Sequence, residues 1–229
     1  MLAVLAQFLP FFIFFVVMVF FVRRGIRRPP PAKKASPKRI HLRRADDVPL
    51  KDAAGVEALG RPLLDAGFTD AGLYVIDGLG LAVRFLKGPE DGLYAAIYDK
   101  HPAAGTWLDV VTLYEDGTSI TVNNLAKPSA LDERTGHRKV RLAGAGANEV
   151  YEAMRRERSR ERKPPLRLQP TELAAKFEKA YADEMDWRDA RGGPTEAEIR
   201  RIAAASGRTL TDEEVRRARE MLAETKVRE

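Results

Sequence analysis

The chain of 229 residues contains no cysteine. Disulfides, thiolate nucleophiles and cysteine-bound metals are thereby excluded, and a reducing compartment is consistent with the composition. Histidine is nearly as scarce, with only three, His41, His101 and His137, spread along the sequence. No G-x-S-x-G, Walker A or H-E-x-x-H pattern occurs, so the common hydrolase, nucleotide and zinc-protease signatures are missing. The expectation is a chain without cofactor, without metal and without catalytic activity.

What is present begins with an uncharged run from Leu2 to Val22, rich in Phe, Val and Leu and interrupted only by Gln7 and Pro10. A helix of about 20 residues crosses the roughly 30 Å hydrocarbon core of a bilayer, and a proline is tolerated there as a kink. A cleaved signal peptide needs a basic start, a shorter apolar stretch and a small-residue cleavage site. None of these is present, so the run predicts a retained, single-pass spanning helix over 1–22. Arg23, Arg24, Arg27, Arg28, Lys33, Lys34, Lys38, Arg39, Arg43 and Arg44 follow it. Basic residues beside a span stay in the cytoplasm, which predicts an outer N-terminus and a cytoplasmic remainder. With an Ala/Arg/Gly-rich composition of the kind found in GC-rich bacteria, the expected address is the inner membrane.

The net charge of +6 and pI near 9.6 invite a nucleic-acid reading. The distribution argues against it. Residues 23–51 hold 11 Lys/Arg against 2 Asp/Glu, whereas residues 52–135 hold 6 against 13. The basic surplus is mostly juxtamembrane, where each Lys/Arg near anionic headgroups is worth about 1 kcal/mol. Prolines 29–31 and Pro37 keep this stretch extended. Residues 23–51 are read as a basic linker, with Arg23, Arg24, Arg27, Arg28, Lys33, Lys34, Lys38 and Arg39 as the lipid-facing candidates; topology-setting charge alone is the plainer alternative.

Residues 52–135 read as an acidic α+β domain. A helix is expected from Asp52 to Ala66, with Val56, Leu59 and Leu63 on one face and Gly67 at its end. Strand patterns follow at Leu73–Ile76, Leu81–Leu86, Leu93–Tyr98, Thr106–Tyr114 and Ser119–Asn124, separated by Gly, Pro and Asp. Five sequential strands with short turns predict an antiparallel meander covered by the helix. Asp116-Gly117 predicts a two-residue type I′ turn, setting Tyr114 opposite Ser119 and Val111 opposite Val122. Trp107, Asp109, Val111 and Leu113 then share the face of Ile120 and Val122, with Asp109 the polar exception.

Residues 136–170 read as a loop and a charged helix, with a short strand at Val140–Leu142. Residues 171–229 read as an α-helical tail. Leu173, Phe177, Tyr181 and Met185 form a narrow stripe, Gly192-Gly193 ends that helix, and Thr195/Glu198 and Thr211/Glu214 read as capping boxes. Tyr181, Trp187 and Arg188 have the residue types enriched at interface hot spots and are the partner-binding candidates; packing within a helical hairpin explains them equally.

Other motifs give way to simpler readings. Gly144-Ala145-Gly146 lacks the third glycine of a dinucleotide loop, with Glu149 in its place; an N-cap at Asn148 explains it. Asp99 and His101, with Asp109 nearby, have acid/base or metal-ligand chemistry, but His101 precedes a proline in a turn. A helix-turn-helix at 199–219 would present Asp212-Glu213-Glu214 to phosphate, so no nucleic acid is expected. The function expected is a membrane-anchored, non-catalytic protein that binds a protein partner through its tail. The alternatives are a tethered small-ligand sensor with a pocket between sheet and helix, and, third, an enzyme using Asp99 and Asp109.

Overall fold

Strands that are buried on both faces read as nearly continuous apolar runs, and Leu81–Lys87 and Leu93–His101 are of this kind: Val83, Phe85, Leu86, Ala95 and Ile97 are all fully buried. A sheet with such strands must be covered twice. The computed structural model describes residues 37–227 except 78, 102, 103, 128 and 206, and residues 37 onward belong to one compact unit.

The elements run β1 (Leu42–Arg44), α1 (Ala53–Asp65), β2 (Thr69–Ile76), β3 (Leu81–Lys87), β4 (Leu93–His101), β5 (Gly105–Leu113), β6 (Ser119–Asn123), β7 (His137–Arg141), α2 (Ala147–Ser159), a 3₁₀ turn (Pro170–Glu172), α3 (Leu173–Ala190), α4 (Glu196–Ala205) and α5 (Asp212–Val227). The seven strands lie in chain order in one sheet. All neighbours are antiparallel except β6 and β7, which are parallel.

One face of the sheet carries α1 and α2. Val56 and Leu63 of α1, and Val150 and Met154 of α2, pack on Leu93, Ile97, Leu108, Val110, Ile120 and Val122. Phe68 meets Tyr151 edge-on at 5.1 Å. The other face carries α3 and the strap that leads into it. Leu173, Phe177 and Tyr181 pack toward Phe85, Ala96 and Tyr98, with Phe177 5.4 Å from Phe85 between ring centroids. Each fully buried Leu, Val or Phe contributes about 1.5–3 kcal/mol. Asp52 caps α1 by accepting the Gly55 N–H at 3.0 Å, and Pro62 sits inside that helix.

Several expectations are corrected. The five-stranded antiparallel meander is a seven-stranded mixed sheet. The two added strands lie at its edges and are basic, Leu-Arg-Arg and His-Arg-Lys-Val-Arg. Charge on an edge strand deters pairing with other chains, and the same charge hides β1 from the pattern and leaves only the Val140–Leu142 end of β7 legible. Residues 37–51 are accordingly not a free linker: β1 pairs with β2, and the Leu42 N–H donates to Glu178 of α3 at 2.5 Å. The expected spanning helix, residues 1–22, lies outside the described residues, and no helix among the described residues is long and apolar enough to cross a membrane. The membrane-spanning, single-pass architecture is therefore without support in this structure.

The hairpin at Asp116-Gly117 also differs. The Gly117 N–H donates to the Tyr114 carbonyl and the Tyr114 N–H to the Thr118 carbonyl, both at 3.0 Å. The loop thus has three residues, with Tyr114 opposite Thr118, and Gly117 alone takes a positive φ of 82°. A type I′ turn would require Asp116 in the left-handed region too. Asp116 instead accepts from the Thr118 N–H at 2.9 Å, an arrangement that suits a turn followed by a glycine bulge. Val111 consequently pairs with Thr121, and Val110 with Val122.

Candidate functional site

A one-residue change of register moves every side chain of a strand to the other face. Ile120 and Val122 therefore join Leu108 and Val110 under α1 and α2. Asp109 keeps Asn123 as its cross-strand partner, Val111 keeps Thr121, and Leu113 keeps Ser119. On β4, Ala96 lies opposite Asp109, with Tyr94 and Tyr98 two residues to either side on the same face. Thr121 continues to Lys139 on β7, and Ser119 to His137. A polar strip thus runs across β4–β7 beneath α3.

The small Ala96 and the short Thr121 leave space there. A cavity of ≈ 250 Å³ opens between this strip and α3, lined among others by Tyr94, Tyr98, Asp109, Thr121, Lys139, Lys176 and Phe177. Oδ1 of Asp109 is buried in the chain without a hydrogen-bond partner. Burial pushes its carboxyl up to about 6, against the opposing pull of Tyr98, Lys139 and Trp107. The Tyr94 and Tyr98 phenols are raised in turn by burial and by the Asp109 charge. Tyr98 is held flat against Trp107, with ring centroids 4.1 Å apart.

At the β6–β7 end, Ser119 Oγ lies 2.8 Å from His137 Nδ1, and the Arg134 guanidinium donates to His137 Nε2. A guanidinium has no acceptor, so Nε2 is the acceptor and the ring proton sits on Nδ1, donated to Ser119. Burial and the Arg134 charge both lower the His137 pKa. A serine nucleophile needs the reverse, a histidine that takes its proton and a carboxylate behind the ring. Ser119 is not activated by this arrangement. Among the described residues, no cluster of His, Asp and Glu has the makings of a metal site.

No family model, curated protein or solved structure matches the chain. Its chemistry has to be read from its own residues.

The other candidates fall elsewhere. Asp99 is buried on the opposite face from Asp109, accepting the N–H groups of Lys51 at 2.7 Å and Asp52 at 2.8 Å; it anchors the start of α1. His101 meets the edge of Trp107 at 6.0 Å. At the Gly144-Ala145-Gly146 turn, Gly146 rather than Asn148 is the N-cap, and its N–H donates to Glu149 at 2.8 Å.

Of the lipid-facing candidates, Arg23, Arg24, Arg27, Arg28, Lys33 and Lys34 lie outside the described residues. Lys38 pairs with Asp189 at 3.3 Å and Arg39 with Asp186 at 2.8 Å, both carboxylates on α3. The partner-binding candidates are engaged within the chain. Tyr181 donates to the Pro37 carbonyl at 2.7 Å. Trp187 lies beneath the Arg191 guanidinium at 4.2 Å. Arg188 bonds Glu184 at 2.5 Å, Glu198 at 3.1 Å and the Asp132 carbonyl at 3.1 Å.

Glu198 is the centre of that network. It is fully buried, accepts the Asp132 and Thr195 N–H groups at 2.7 Å each, and lies 2.5 Å from Arg191. Burial alone would raise its carboxyl, but Arg191 and the two backbone donors outweigh it and hold it at about 2. The expected capping box at Thr195 is therefore also the junction between α3, α4 and the loop before β7.

Tyr94, Tyr98, Thr121, Lys139 and His137 were not singled out by the sequence. A usable signal existed in Tyr94-x-Ala96-x-Tyr98: two hydroxyl-tipped rings flanking a small residue on one face of a strand expected to be buried.

Proposed function

We propose that the chain is a small-ligand-binding module whose site is the cleft between α3 and the polar strip of β4–β7. The observation that carries this reading is the half-buried Asp109, whose Oδ1 is buried against the cleft without a hydrogen-bond partner. Buried polar groups are normally satisfied, and an exception calls for a physical account. Here the cavity beside the group supplies one: the missing partner is a ligand atom. A volume of ≈ 250 Å³ falls just below the roughly 300–1,000 Å³ of drug-sized sites, which suits a molecule of metabolite size. The mixture of aromatic walls and a few polar groups is that of a ligand site rather than of a packed core.

Binding of a protein partner through the tail has less to support it, since Tyr181 and Arg188 already satisfy groups of their own chain. An acid/base enzyme needs a second titrating group within reach of the same substrate atom. Asp99 lies across the sheet, and His137 has both ring nitrogens engaged.

The test is ligand-observed NMR of the full chain with a library of small fragments, repeated on Thr121→Phe, which fills the cleft with a residue favoured in strands. Fragments bound by the native chain should be lost in the variant, with cooperative thermal unfolding retained in both. Equal binding by the two proteins, or no binding by either, refutes the cleft as the site.

A further inference from the structure

The charges that line the cleft are not equivalent. Lys179 is paired with Asp183 at 2.8 Å, and Glu184 with Arg188 at 2.5 Å. Arg134 is turned onto His137. That leaves the Asp109 carboxylate on the sheet floor and the ammonium groups of Lys139 on β7 and Lys176 on α3, neither ammonium within ion-pair distance of a carboxylate among the described residues, Lys176 acting on Asp183 only at longer range. Lys139 acts on Asp109 only as a distant charge. It stands two strands away, and neighbouring strands are spaced by about 4.8 Å.

The cleft therefore offers a carboxylate on β5, one cationic group across Thr121 on β7 and another on α3, with the rings of Tyr98 and Phe177 walling the β4 side of Asp109. A neutral ligand would leave both poles uncompensated, and a simple cation or anion would leave one. Resting on the ligand-site reading, we propose that the ligand is a zwitterion with a flat or apolar body, its ammonium donating to Asp109 and its anionic group several ångström away between Lys139 and Lys176. Charge-assisted hydrogen bonds of this kind are about twice as strong as neutral ones, and an aromatic wall beside an ammonium adds a cation–π attraction. The raised carboxyl of Asp109 agrees with a site completed by a cation, because an ammonium at Oδ1 would return the group toward its ordinary range.

The probe is 4-(aminomethyl)benzoate, with benzylamine and benzoate as its single-charge counterparts, each titrated into the full chain by calorimetry. The zwitterion should bind at least tenfold more tightly than either counterpart. Asp109→Asn should remove its advantage over benzoate, and the double variant Lys139→Ala/Lys176→Ala its advantage over benzylamine, with circular dichroism confirming that each variant is folded. If one of the single-charge compounds binds as well as the zwitterion, or if Asp109→Asn leaves the affinity unchanged, the zwitterion assignment fails. If none of the three binds while Thr121→Phe still abolishes fragment binding, the assignment again fails and the cleft stands. If fragments too are ignored, both fail.

Discussion

Asp109→Asn should gain stability relative to the native, unliganded chain as pH rises. The Asp109 carboxyl is raised from 3.8 to about 6, first by burial. For an acid with a raised folded-state pKa, the unfolded chain loses its proton first as pH rises. Between about pH 4 and pH 6 the folded state holds a proton the unfolded state has released, so stability falls across that window and stays low above it. At 1.36 kcal/mol per pKa unit the loss is at most about 3 kcal/mol. Part of the residue is solvent-accessible, so roughly 1–3 kcal/mol is the working range. An amide does not ionise and escapes this cost. It also places an N–H donor where none is satisfied, a penalty of about 1–3 kcal/mol that does not depend on pH. The quantity to measure is therefore the change in the stability difference between native chain and variant from pH 4 to pH 8, by urea unfolding. The variant should gain by roughly 1–3 kcal/mol across that interval. A difference that is flat with pH, or that moves the other way, would show that Asp109 is solvated and that the cleft has no buried charge to satisfy.

The remaining expectations concern the elements that frame the cleft. Glu198→Ala strands two arginines in a buried junction and should cost about 3–5 kcal/mol, read as a lower thermal midpoint and faster amide exchange over residues 190–205. In the native chain the stability from Glu198, whose folded pKa is depressed to about 2, is present above its ordinary value and should fade as pH falls from about 4.5 toward 2. An acid limb unchanged in Glu198→Gln would contradict this. Gly117→Ala forces a side chain into φ of 82° and should cost about 1–2 kcal/mol; a neutral outcome in chemical denaturation would mean that the three-residue turn is wrong. Phe177→Ala removes the half-buried ring between α3 and the sheet and should cost about 2 kcal/mol, with exchange rising in α3 while β3–β5 stay protected. Uniform loss of protection would show instead that α3 is part of the cooperative core.

What could be read from the sequence was local. The helix over residues 53–65, the five central strands and the two capping boxes each rest on residues within one or two turns of one another, and the structure has them. The boxes show it most directly: Glu198 donates its N–H to Thr195 Oγ1 at 3.2 Å, and Glu214 to Thr211 Oγ1 at 3.3 Å. Of the edge strands, β1 was hidden and β7 was read only at its Val140–Leu142 end, because their partners, not their side chains, make them strands. Lys38 and Arg39 had looked like headgroup ligands because net charge was counted along the chain. In the fold they face Asp189 and Asp186, about 150 positions away, on a helix whose own basic residues had masked its acidic side.

The candidate site depended on a single residue of register. With a two-residue turn at Asp116-Gly117, Asp109 shares a face with Ile120 and Val122 and is an isolated polar defect in an apolar core. With the three-residue turn, it shares a face with Ser119, Thr121 and Asn123, and the same carboxyl becomes the floor of a polar cleft. Both registers alternate cleanly, so periodicity could not choose between them. The choice was made by φ at Asp116, where the left-handed region costs a side chain of this kind energy and costs glycine nothing. The aspartate caps the Thr118 N–H instead, and glycine alone carries the positive φ. Alternation on β4 held the complementary clue. Tyr94, Ala96 and Tyr98 face α3 across from Val111, Asp109 and Trp107, and a face combining two phenols with a carboxyl is a poor bed for Ile120 and Val122. The register that gathers polar groups with polar groups is the one that avoids burying Thr121 and Asn123 against the apolar side chains of α1 and α2. Turn geometry and polar satisfaction, which agree, and not hydrophobic period decide which side of the sheet carries the site.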